Sequence, residues 1–130
     1  MSKQSIKKIV LTIVYISIVF IMFGLFKNLF GQPDNNRLAQ AIQEGAYLVD
    51  VRTPGEFASG SVRGAVNIPL DQIQAQIDKF KDKKTIVVFC RSGGRSLQAK
   101  SILERNGFDN VINGGTWENV ASVKQICRSQ

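Results

Sequence analysis

Cys90 is followed by Arg91, Ser92, Gly93, Gly94, Arg95 and Ser96. Adjacent glycines let the backbone turn several N–H groups inward as an anion-binding nest, and a helix starting just after them adds the positive end of its dipole. A thiol at the rim of such a nest, flanked by two guanidinium groups, is expected to have a depressed pKa and to act as a nucleophile at neutral pH. No histidine base is then required. The chain contains no histidine at all, which excludes Ser-His-Asp and Cys-His catalysis and imidazole metal sites. The second cysteine, Cys127, lies beside Arg128 in a polar tail. It reads as an exposed incidental thiol, with a resolving partner for Cys90 as the alternative. Two thiols are too few for a four-thiolate zinc site or a multi-bridge scaffold, and no metal or cofactor is called for.

Such a loop has to be held between a strand and a helix. Ala46 to Val51 and Thr85 to Cys90 are short, nearly continuous apolar runs of the kind covered on both faces, and they are expected as central parallel strands. Helical patterns are expected at Arg37 to Glu44, Leu70 to Phe80 and Arg95 to Asn106, with Gly45 and Gly107 as stops for the first and last. Val111 to Asn113 reads as a further strand and Thr116 to Val123 as a terminal helix. Alternating strands and helices predict an α/β domain with a mainly parallel sheet, and ligands in such sheets bind beyond the carboxyl ends of the strands. Asp50 and Arg52 stand at one such end, Cys90 and Arg91 at the other.

Ahead of this domain, residues 9 to 26 form eighteen consecutive residues without a charge. As a helix the run is roughly 27 Å long, close to the thickness of a bilayer core. A cleaved signal peptide competes with this reading because Lys3, Lys7 and Lys8 make a basic leading region, but the apolar stretch is longer than usual and Phe23 to Gln32 has no small-x-small cleavage pattern. An uncleaved single-pass anchor is expected. Three lysines precede the helix and Lys27 follows it, so the positive-inside tendency favours a cytoplasmic N-terminus and an extracytoplasmic domain, periplasmic or external. The chain then divides into a basic flank at 1–8, a transmembrane helix at 9–26, a polar juxtamembrane linker at 27–36 and one domain at 37–130. Of the formal +7, the domain holds thirteen basic and nine acidic groups, about +4. Lys79, Lys81, Lys83 and Lys84 are interrupted by Asp82 and lack interleaved aromatics, so they read as a solvated turn and not as a nucleic-acid surface.

Four ordered blocks, LVDVRTPGEF (48–57), GSVRGAVNIPL (60–70), IVVFCRSGGRS (86–96) and NVINGG (110–115), resemble the rhodanese family of single-domain sulfurtransferases across nearly all of residues 37–130. The resemblance implies a rhodanese-like three-layer α/β domain, with a mainly parallel central sheet flanked by helices and preceded here by one transmembrane helix. It also implies a persulfide relay. Cys90 attacks the outer sulfur of a thiosulfate-like anionic donor and passes it to a thiol or cyanide acceptor. By the same analogy the N–H groups from Arg91 to Ser96 stabilise the anionic persulfide, Arg91 and Arg95 attract the donor, and Ser92 donates a hydroxyl hydrogen bond. Ser96 is expected to cap the helix start. Asp50, Arg52 and Glu56 are expected to support the loop, Arg52 in a partly buried ion pair with Glu56, because sulfur transfer to a thiolate needs no general base.

Ser61 stands where many relatives have histidine, which puts a contribution of that position in doubt. Trp117 is expected in a core or lid role. Two other readings of the loop exist. One is a module that senses persulfide or docks a partner without turnover. The other is arsenate reduction or phosphatase chemistry, against which the four residues between Cys90 and Arg95 count, since the phosphatase pattern has five.

Overall fold

In the computed structural model the described residues are 3–29 and 34–130, and they fall into two compact units, one before and one after Gln32. Met1 and Ser2 of the expected basic flank, and residues 30–33 of the expected linker, lie outside the described residues.

The first unit is one helix, α1 (Lys3–Leu29), which runs past both ends of the uncharged segment. Over residues 3–24 its apolar side chains lie on every face and form no one-sided stripe. The hydroxyls inside the run are satisfied by the helix itself: Thr12 Oγ1 donates to Lys8 O at 2.8 Å and Ser17 Oγ to Ile13 O at 2.9 Å. The helix is long and apolar enough to cross a membrane, a property it shares with signal sequences.

The second unit follows the order α2 (Asn35–Gln43), β1 (Tyr47–Asp50), α3 (Pro54–Ala58), β2 (Val66–Asn67), β3 (Ile86–Cys90), α4 (Gly94–Arg105), β4 (Val111–Thr116) and α5 (Trp117–Ser129). The strands make one all-parallel sheet in the order β2-β1-β3-β4. Every residue of β3 is buried, which explains why the strand reads as an unbroken apolar run. On one face Val88, Cys90, Val49 and Val51 pack against Ala99 and Leu103 of α4 together with Ile73 and Phe80. On the other, Val87, Phe89 and Leu48 meet Leu38 and Ala41 of α2 and Val120 and Val123 of α5. These are the three layers that the resemblance implies.

Three local expectations change. Leu70 to Phe80 is not one helix but two short 3₁₀ turns, Leu70–Gln72 and Ile77–Phe80, neither of which starts with a side-chain cap. Such turns rise about 2.0 Å per residue against 1.5 Å for an α-helix, so the segment covers more distance while still burying Ile73 and Phe80. The terminal helix extends to Ser129, because Thr116 caps it (its hydroxyl accepts the Asn119 N–H at 3.0 Å) and Val123 is buried. Cys127 is therefore not in a loose tail. It is partly buried on α5, 3.8 Å from Ala39 O, in the layer opposite Cys90, and so cannot meet that thiol directly.

Candidate active site

The last residue of β3 is Cys90, and the chain turns at once into α4 through Gly93, whose φ of +94° lies in the left-handed region where a side chain is strained. That turn aims the Gly93 N–H at Cys90 Sγ, 3.0 Å away. Gly94 has no such constraint and faces open space, so only the first glycine of the pair is demanded by the backbone. Burial pushes the Cys90 thiol up. Hydrogen bonds from the Ser96 hydroxyl and from the main-chain amides of Ser96, Ser92 and Gly93 more than offset it, leaving the thiol below its ordinary value.

Ser96 is not the cap. The helix begins at Gly94 with Gly93 as its flanking residue, and Ser96, its third residue and fully buried, points its hydroxyl back into the loop. Its Oγ lies 3.5 Å from Cys90 Sγ and within donating distance of Gly93 O (3.0 Å) and Asn113 Oδ1 (2.7 Å). Asn113 was not singled out by the sequence. An asparagine inside an apolar strand is unusual enough to serve as a signal. It is placed by a bulge at Val88/Phe89, where β4 slips register so that Asn113 pairs with Val88 and Gly115 with Phe89. Gly114 makes the bulge possible, since a Cβ there would sit 2.6 Å from Val120 Cγ2 and 3.1 Å from Val87 Cγ1.

The two arginines of the loop differ. Arg91 is exposed, as are Ser92 and Gly94. Arg95 is clamped by Glu56 in a bidentate pair, Nη1–Oε1 at 2.7 Å and Nη2–Oε2 at 3.0 Å. Hydrogen bonding from Arg95, helped by Thr53 and only partly opposed by desolvation, holds the Glu56 carboxyl at about 2. The expected Arg52–Glu56 pair is thereby corrected. Arg52 instead turns back on Asp50, two residues earlier, donating from Nε to Oδ1 and Oδ2 (both 3.0 Å) and from Nη2 to Oδ2 (2.8 Å). The reason is reach: the turn after β1 folds Arg52 over the strand end, whereas Glu56, in the first turn of α3, faces α4.

Ser61 completes the buried pair by donating to Asp50 Oδ2 at 2.7 Å, and Arg52 Nη2 also donates to Gly60 O at 2.6 Å. The Arg52 guanidinium stands 5.1 Å from the centre of the Trp117 ring, which accounts for that residue as packing. Asn67, also missed from sequence, ties the end of β1 by donating to Asp50 O and Arg52 O at 3.0 and 2.9 Å.

Residues 34–118 match the model of the rhodanese-like domain. The chain is 35% identical over 82 residues to a sulfurtransferase of Allochromatium vinosum (62% of this chain, 77% of the relative). It is 38% identical over 80 residues to the thiosulfate sulfurtransferase PspE of Escherichia coli (60% and 77%). Among solved structures, a rhodanese with anions from E. coli superposes with a TM-score of 0.55 at 35% identity, covering 59% of this chain and 93% of that one. A human single-domain sulfurtransferase does so with a TM-score of 0.54 at 28% identity, covering 68% and 95%. A strand-end cysteine in an amide cradle, on a parallel three-layer domain matched over this length, places the chain in the rhodanese-like sulfurtransferase family.

Proposed function

We propose that this protein is a membrane-anchored sulfurtransferase that carries sulfane sulfur as a persulfide on Cys90. The observation behind the reading is the Cys90 sulfur itself, buried at a strand end with the Gly93 N–H 3.0 Å away and the Ser96 hydroxyl beside it. Those hydrogen bonds lower the thiol's pKa against the opposing effect of burial and so favour the thiolate.

In the first half-reaction the thiolate attacks the outer sulfur of thiosulfate or a similar anionic donor. A Cys90–sulfur bond forms, the donor's S–S bond breaks, and sulfite departs with the electron pair. The persulfide anion keeps the negative charge that the thiolate had. In the second, cyanide or a thiolate takes the outer sulfur and the electron pair of the S–S bond returns to Cys90. No net proton is required in either step. Arg91, Ser92 and Gly94 are the exposed residues of the loop and meet the donor first, with Arg91 supplying the attracting charge. The amides from Arg91 to Ser96 form the anion cradle, while Asp50, Arg52 and Glu56 hold its surroundings. On this reading residues 9–26 act as the anchor and residues 37–130 as the catalytic domain, and the excess of lysines ahead of the anchor favours a domain outside the cytoplasm.

The test is mass spectrometry of the protein incubated with thiosulfate. A gain of one sulfur atom, absent in Cys90→Ala, followed by turnover to thiocyanate on adding cyanide, is expected. Stable sulfur loading without turnover would leave a persulfide-holding module instead, and no gain at all would remove the reading.

A further inference from the structure

The Ser96 hydroxyl has one proton and three groups around it: Cys90 Sγ at 3.5 Å, which as a thiol donates to the Ser96 oxygen and as a thiolate can only accept, and the acceptors Gly93 O at 3.0 Å and Asn113 Oδ1 at 2.7 Å. Ser96 is fully buried, so water does not take part in the choice. Of the two side-chain acceptors, Asn113 Oδ1 has a second donor, the Gly115 N–H at 3.0 Å, and stays satisfied if the hydroxyl turns away. The bulge in β4 that sets this geometry is pinned by Asn119, whose Nδ2 donates to Gly114 O at 2.9 Å. Asn113 pairs with Val88, two residues before Cys90 in β3, and so shares the sheet face on which that cysteine lies.

We infer that Asn113 is a positioning residue that holds the Ser96 hydroxyl as a two-position donor, turned toward Asn113 Oδ1 while Cys90 carries a proton or a bound sulfur and toward Cys90 Sγ while that sulfur is an anion. This rests on the persulfide reading above and specifies which half-reaction the pair serves. In the persulfide the charge sits on the outer sulfur, and Sγ, with two covalent bonds, is a poor acceptor. When an acceptor thiolate or cyanide removes the outer sulfur, the S–S electron pair collapses onto Sγ and charge develops where the hydroxyl can reach it. The pair therefore assists the departure of Cys90 as a leaving group. In loading, charge moves away from Sγ, and the same hydrogen bond gives no acceleration once the thiol is ionised. The other charged groups around the thiolate are Arg95 on α4, offset by Glu56 on α3, and the mutually paired Asp50 and Arg52 at the end of β1. None of them offers a proton that can change acceptors in this way.

The experiment uses the full chain in detergent micelles, in a Cys127→Ser background, and compares Ser96→Ala, Asn113→Asp and the double variant. Asn113→Asp keeps an acceptor for the Gly115 N–H but grips the hydroxyl proton more tightly. Rapid quench gives the rate of sulfur loading from thiosulfate at pH 9 and the rate of unloading to cyanide. Each single change is expected to slow unloading about tenfold, as loss of a hydrogen bond to a charged group does, and to leave loading within about twofold. The double variant should be no more than about twofold slower than Ser96→Ala alone. Loading and unloading that fall together, including joint loss through misfolding, would make Asn113 purely structural and overturn the inference; multiplicative effects in the double variant would overturn it as well. If the unaltered protein gains no sulfur from thiosulfate, the sulfurtransferase reading fails separately. The pH midpoint of Cys90 alkylation by iodoacetamide then decides on the switch, with a rise of about one unit expected in both single variants and unchanged midpoints refuting it.

Discussion

Two carboxylate–guanidinium pairs flank the cysteine loop, chemically alike and differently placed. Asp50 and Arg52 are 0% and 5% exposed, whereas Glu56 and Arg95 keep 27% and 34% of their side-chain surface in solvent. In the buried pair each charge is compensated by the other, and Ser61, Gly60 and the Arg52 N–H complete the hydrogen bonding. It ties the end of β1 to Gly60 and Ser61. The half-exposed pair contributes little to stability because water screens it, and under the proposed function it sets how much positive charge an approaching anion meets. Burial, and not the identity of the ions, divides the two roles.

Breaking the buried pair should have the largest effect. Asp50→Ala strands the Arg52 guanidinium and is expected to cost about 3–5 kcal/mol in denaturant unfolding, because an uncompensated buried charge remains. A loss under about 1 kcal/mol would erase the contrast. Removing only the supporting hydroxyl is milder. Ser61→Ala should lower stability by about 1 kcal/mol, since Asp50 retains its other donors.

The exposed pair should respond in rate and not in stability. Glu56→Gln frees the charge of Arg95 and is expected to raise kcat/KM for thiosulfate a few-fold, while leaving the denaturant unfolding midpoint nearly unchanged. A fall in kcat/KM would mean that Glu56 holds Arg95 in a position the donor needs. The smallest effect is one of pH. Glu56 is held at about 2 in the folded protein, below its value of 4.5 when unconstrained, so its contribution to stability is complete above the higher value and is lost as the pH falls toward the lower. Unfolding curves between pH 5 and 2 should therefore show a slight acid weakening that Glu56→Gln removes.

Much of this was legible without coordinates. Buried parallel strands have to be apolar on both faces, so IVVFC announced a central strand, and the residues after it announced a turn into a helix. The partnering of charges was not legible. Arg52 stands two residues from Asp50 and four from Glu56, and only the fold of the chain after β1 decides which carboxylate it meets. The segment after Leu70 has helical spacing but follows the distance it must cover, and it becomes two 3₁₀ turns.

Local composition by itself determined the element types around Cys90, the apolar segment at 9–26 and the left-handed glycine turn, because each depends on residues adjacent in the chain. Tertiary structure alone decided that Ser96 faces the sulfur instead of capping its helix and that Asn113 stands behind it. It also put Cys127 in the opposite layer. Those outcomes depend on a slipped register between β3 and β4 and on which face of the sheet each helix covers, and such long-range packing leaves no mark in the spacing of neighbouring residues.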